Sequence, residues 1–76
     1  MNFTVGQYLE FFIQGQKCFI RVDDVISQNT IYGLFVEKVI LRDKEYGGGL
    51  ILEMTFGPNF VEMGGRKYEM SFQTIS

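Results

Sequence analysis

A chain of 76 residues, 46% of them apolar and eight of them phenylalanine, has enough for one core and too little for two, so residues 1–76 read as a single small domain. Seven Lys and Arg against nine Asp and Glu leave a net charge of −2, which gives no overall field to draw in a phosphate backbone. With no histidine and a single cysteine, imidazole-dependent dyads, triads and zinc sites are excluded, as is an internal disulfide.

Helical periodicity is missing, while β-branched and aromatic residues alternate between turn signals about ten residues apart. Strands are expected near 7–14, 17–26, 31–42, 50–56, 60–63 and 66–74. The first two form a hairpin. Glycine at the first position of a Gly15-Gln16 turn suits type II′ and sets Gln14 opposite Lys17. Leu9, Phe11, Ile13, Cys18, Ile20 and Val22 then share a core-facing side. On the other side Phe12 meets Phe19 and Glu10 meets Arg21.

Regular pairing across a Gln28-Asn29 turn would bury Glu37, so an extra residue at Asp23-Asp24, a β-bulge, is expected in the second strand. It places Val22 opposite Leu34 and Ile20 opposite Val36, and it turns Phe35 outward beside Phe19 and Arg21. The inward set beyond Glu37 is either Ile40 or the pair Val39 and Leu41. Residues 42–49, RDKEYGGG, read as a flexible connection whose Tyr46 is free to touch a partner. Leu50, Leu52, Met54 and Phe56 share one face of the next strand. A Gly64-Gly65 turn sets Val61 opposite Tyr68 and Glu62 opposite Lys67, and Tyr68, Met70 and Phe72 face inward. Five or six short antiparallel strands with one sharp bend suggest an all-β, SH3-like small barrel, with an OB-like barrel or a two-layer β-sandwich as the other solutions.

The chemistry-bearing residues give little. Asp23 and Asp24 mark an irregular strand end better than a metal or acid–base pair, because neighbours on a strand point to opposite faces. Cys18 reads as a small buried hydrophobe. The Gly47–Gly49 run leads into a strand, whereas phosphate-cradling loops lead into a helix N-terminus. No catalytic, metal or cofactor-binding residue is assigned, and the protein is not expected to be an enzyme.

The run GQYLEFFIQGQKCFIRV from Gly6 resembles in spacing the opening strands of Sm-like RNA-binding proteins, over less than a third of the chain. The helix that precedes those strands in that family, its Asp and Asn after the second strand and its later Arg-Gly pair have no counterpart here. No residue role is carried over, and no family is recognised.

What remains is a face. Phe12, Phe19 and Phe35 at its centre, Tyr8 at one end, Arg21 within it and Tyr46 from the long connection make a partner-binding set of aromatics among mixed charges, the make-up of a protein interface. The expected function is a non-catalytic protein-binding module, an inhibitor or adaptor of the kind phage and mobile elements use, or a homodimer. Single-stranded nucleic acid stacking on the same aromatics is the rival reading, and the carboxylates around them weigh against it. The expected setting is cytoplasmic, because a lone cysteine fits a reducing compartment and no apolar run is long enough to span a membrane or serve as a signal peptide.

Overall fold

The computed structural model describes residues 2–72. Nine antiparallel strands follow in chain order: β1 (Tyr8–Ile13), β2 (Gln16–Val25), β3 (Thr30–Phe35), β4 (Val39–Leu41), β5 (Lys44–Tyr46), β6 (Ile51–Phe56), β7 (Phe60–Met63), β8 (Arg66–Glu69) and β9 (Ser71–Phe72). Seven of them form one sheet in the order β8-β7-β6-β3-β2-β1-β9, and β4 with β5 makes a separate two-stranded sheet. The expected strand from 66 to 74 is split at Met70, and its residues 73 and 74 lie outside the described part of the chain.

The outermost strands, β8 and β9, are joined by Met70 alone, so the chain steps from one edge of the large sheet to the other through one residue. The ladder nevertheless stops short of closure. Among the described residues β8 pairs only with β7, and β9 only with β1. The fold is thus a small antiparallel all-β domain with a seam where a closed barrel would have a further pairing.

The first hairpin keeps its expected faces in a different register. Gln14 and Gly15 occupy the turn with φ of 53° and 77°, and Ile13 pairs with Gln16. Two positive φ values define a type I′ turn, whose twist matches that of the flanking strands better than the expected II′ placement one residue later. Phe12 is therefore opposite Lys17, Glu10 opposite Phe19 and Tyr8 opposite Arg21. Pairing has slid by two residues, an even number, so the core-facing side is unchanged.

The bulge stands where charge avoidance placed it, between Val22 and Asp24. The expected phase of β3 is wrong by one along its whole length, because the turn runs through residues 27–29, with the Ile26 N–H bonded to the Thr30 carbonyl, so that Asp24 pairs with Tyr32 and Val25 with Ile31. Ile20 pairs with Phe35 and Val22 with Gly33, so Phe35 is fully buried and Leu34 and Val36 lie on the outer side. Two physical reasons favour this phase: it takes the larger ring out of water, and it sets a glycine where a side chain would run into Ile20 and Met54. A Cβ on Gly33 would lie 2.9 Å from Ile20 Cδ1 and 3.0 Å from Met54 Sδ.

Residues 36–49 also differ from the expected long strand and open connection. Gly49 N–H bonds to the Phe35 carbonyl at 2.7 Å and Phe35 N–H to the Leu50 carbonyl at 2.9 Å, so β3 passes almost directly into β6. The intervening segment folds back as the β4–β5 hairpin through Arg42 and Asp43, both at positive φ. Val39 and Leu41 face inward and Ile40 outward, and Tyr46 is fully buried, stacked on Phe35 with ring centroids 5.3 Å apart. At the Thr30 end of the β3–β6 ladder Phe56 is surrounded by the rings of Phe3, Phe11 and Phe72. The pairs Val61–Tyr68 and Glu62–Lys67 are as expected, and Tyr68 and Met70 are buried.

Candidate protein-binding face

Strand alternation sends every second residue of β1, β2, β3 and β6 to the outer side of the sheet. Because these four strands are consecutive neighbours, their registers combine into one row: Tyr8 pairs with Arg21, Arg21 with Leu34 and Leu34 with Ile51. Phe19 lies beside this row on β2. It is flanked by Glu10 on β1 and, just past β3, by Val36, whose N–H bonds to the Phe19 carbonyl at 3.0 Å. Tyr8 and Phe19 are in ring contact with centroids 5.4 Å apart. Exposure of 56% at Tyr8, 50% at Ile51 and 39% at Val36 shows that nothing in the described chain covers this face.

Four of the six residues expected to bind a partner are on this side: Tyr8, Phe12, Phe19 and Arg21, the two phenylalanines half-buried. Phe12 stands apart from Phe19, opposite Lys17 on one side and Ser71 of β9 on the other. The other two are corrections. Phe35 and Tyr46 are both fully buried and belong to the core. Their places are taken by Leu34, Val36 and Ile51, with Tyr32 further along β3. The signal for these was present: once Phe35 turns in, Leu34 and Val36 must turn out.

The charges on the face are matched locally. Arg21 Nε is 2.8 Å from Asp23 Oδ1, and this bond and charge raise the guanidinium pKa further above its ordinary value. Lys17 Nζ is 3.3 Å from Glu10 Oε1 and 5.8 Å from the Phe19 ring centroid. Asp24 is used separately, its Oδ1 accepting the Val25 N–H at 2.9 Å. The two adjacent carboxylates thus diverge, one onto Arg21 and one onto the backbone. Cys18 is on the inner side of the same hairpin, and burial pushes its thiol up to about 11, away from nucleophilic reactivity. Gly47–Gly49 carries the chain back into β6, with the Leu50 N–H bonded to the Gly47 carbonyl at 3.1 Å. No helix of the described residues is long and apolar enough to cross a membrane.

No protein family model, curated protein or solved structure matches this chain.

Proposed function

We propose that this domain works by binding another protein through the outer face of β1, β2, β3 and β6, as a non-catalytic inhibitor or adaptor. The observation that carries the reading is the row Tyr8–Arg21–Leu34–Ile51, bordered by Phe19 and Val36, where apolar side chains stand in water on adjacent strands. Leaving such a row exposed costs the monomer solubility and contributes nothing to its core, and burying it against a partner recovers the hydrophobic free energy. Aromatic and aliphatic anchors surrounded by the ion pairs Glu10–Lys17 and Arg21–Asp23 have the centre-and-rim layout of a specific interface. We read the architecture as an SH3-like barrel opened along the β8–β9 seam, with the binding face on its continuous side.

Single-stranded nucleic acid fits the same face less well. Its two cations are each paired with a carboxylate, so a phosphate backbone would have to displace Asp23 and Glu10 before gaining any charge contact. The test is capture from an extract of the source cells by immobilised wild-type protein and by Phe19→Ser/Ile51→Ser, with an oligothymidine arm in parallel. The expected result is at least one protein retained by the wild type and lost by the variant at an unchanged unfolding midpoint. Identical protein profiles for the two baits, or retention of the oligonucleotide alone, would overturn the proposal.

A further inference from the structure

Among the described residues the large sheet leaves one side of β8 without a strand. Gly64 and Gly65, at φ of 60° and 75°, form a two-residue turn, which makes Met63 and Arg66 a hydrogen-bonded pair. Alternation makes Val61 and Tyr68 the next such pair, and the Met70 N–H bonded to the Asn59 carbonyl at 2.9 Å confirms the phase. The backbone N–H and C=O of Lys67 and Glu69 therefore point away from β7, and among the described residues they have no backbone partner. Among the described residues neither side chain makes an ion pair, and Lys67 Nζ rests 4.1 Å from the Phe60 ring centroid. Both residues line a groove of about 600 Å³ together with Gln14, Arg42, Asn59 and Phe60.

We propose that this edge is a self-association site: β8 pairs antiparallel with β8 of a second copy about a two-fold axis at Tyr68. Only the outward-pointing residues can form hydrogen-bonded pairs across the new ladder, so three centred registers exist. Lys67 facing Lys67 and Glu69 facing Glu69 each oppose like charges. The third sets Lys67 of each copy opposite Glu69 of the other, and the two-fold axis makes both pairs at once. It gives every outward N–H and C=O of the two residues a partner and sets each of their two charges against its opposite.

An edge lysine commonly guards a sheet against such pairing. Here Glu69, two residues along the same face, supplies the counter-charge, so the guard restricts the contact to one register rather than preventing it. A four-residue edge is small, below the roughly 1,000 Å² of a stable interface, so the dimer is weak and reversible. It is independent of the outer face that carries Phe19 and Ile51, and that face stays free in the dimer.

The test is the mass in solution by sedimentation equilibrium from micromolar to millimolar protein. Wild type should pass from monomer to dimer across that range, and Phe19→Ser/Ile51→Ser should do the same. Lys67→Glu and Glu69→Lys should each weaken the dimer by at least about tenfold, since two attractive pairs become two repulsive ones. An equimolar mixture of the two variants should regain it, because the acidic edge of one then faces the basic edge of the other. Exchange of the Lys67 and Glu69 amides in the wild type should slow with concentration, a readout that needs no variant. A wild type monomeric at millimolar concentration, a dimer indifferent to both reversals, a mixture that stays monomeric, or a dimer abolished by the Phe19 and Ile51 changes would each overturn the proposal.

Discussion

The hydroxyls of Tyr46 and Tyr68 lie 2.9 Å apart inside the core, each the other's hydrogen-bond partner across 22 residues of sequence. The bond ties the β4–β5 hairpin to β8. Removing one hydroxyl leaves the other buried without a partner, so Tyr46→Phe and Tyr68→Phe should each cost about 1–3 kcal/mol. The double variant should cost less than the sum of the two, because it removes both polar groups together. Urea unfolding of the four proteins in a double-mutant cycle measures the difference.

Gly33 should resist even small side chains. A Cβ there meets the ends of Ile20 and Met54, and β-branching would add atoms with nowhere to go. Gly33→Val is expected to cost about 1–3 kcal/mol by overpacking. Gly33→Ala should be milder, and Ile20→Val, which removes the closest methyl, should recover part of its loss. Thermal or urea midpoints of the single and paired variants give the result.

The first turn yields opposite predictions at its two positions. Gly15→Val forces a β-branched residue to a φ of 77° and should cost more than about 1 kcal/mol. Gln14→Asn creates the Asn-Gly pair preferred in type I′ turns and should stabilise the domain by a few tenths of a kcal/mol or more, as read by the urea midpoint.

Stability should decline on the alkaline side. The Cys18 thiol is raised from an ordinary 9.0 to about 11 by burial, so between those values the folded chain holds a proton that the unfolded chain has lost. The contribution is complete below pH 9 and disappears as pH rises through the folded value. Tyr46, raised by burial and then by its bond to Tyr68, adds to the loss above its ordinary value of 10.0. Unfolding midpoints from pH 8 to 11 should fall for the wild type and fall less for Cys18→Ala. A thiol reagent should label Cys18 only in denaturant.

The parts of the fold that could be read from sequence are those where an error of register leaves parity intact. In the first hairpin the turn is displaced by one residue and the pairing by two, yet Leu9, Phe11, Ile13, Cys18, Ile20 and Val22 remain inside. The bulge at Asp23 follows in the sequence from avoiding a buried Glu37 and is found there, although with the observed turn the residue facing Ile20 in its absence would be Val36. A single-residue error at the β2–β3 turn reverses the whole of β3, and it puts Phe35, Leu34 and Val36 on the wrong sides. Gly33 carries the contrary signal, a glycine in mid-strand marking a close approach. The β4–β5 hairpin was illegible for another reason. Its turn uses Arg42 and Asp43 at φ of 48° and 64°, so no glycine or asparagine announces it, and in the sequence Tyr46 reads as a loop residue.

The outer face was half legible. Tyr8, Phe19 and Arg21 follow from the first hairpin alone, whereas Leu34 and Ile51 depend on the phase of β3 and on its pairing with β6. That β6 is the neighbour of β3, with β4 and β5 looped aside, is a long-range fact that no local pattern carries.

The binding reading is tested most directly by calorimetric titration of a captured partner with the wild type and with Phe19→Ser/Ile51→Ser. Loss of two central anchors should weaken the complex by about 2–4 kcal/mol, between thirtyfold and a thousandfold, while the urea midpoint of the variant stays close to that of the wild type. Equal affinity for both proteins would contradict the account, as would a variant that unfolds like one stripped of core aromatics, a loss of about 3–5 kcal/mol for each buried ring.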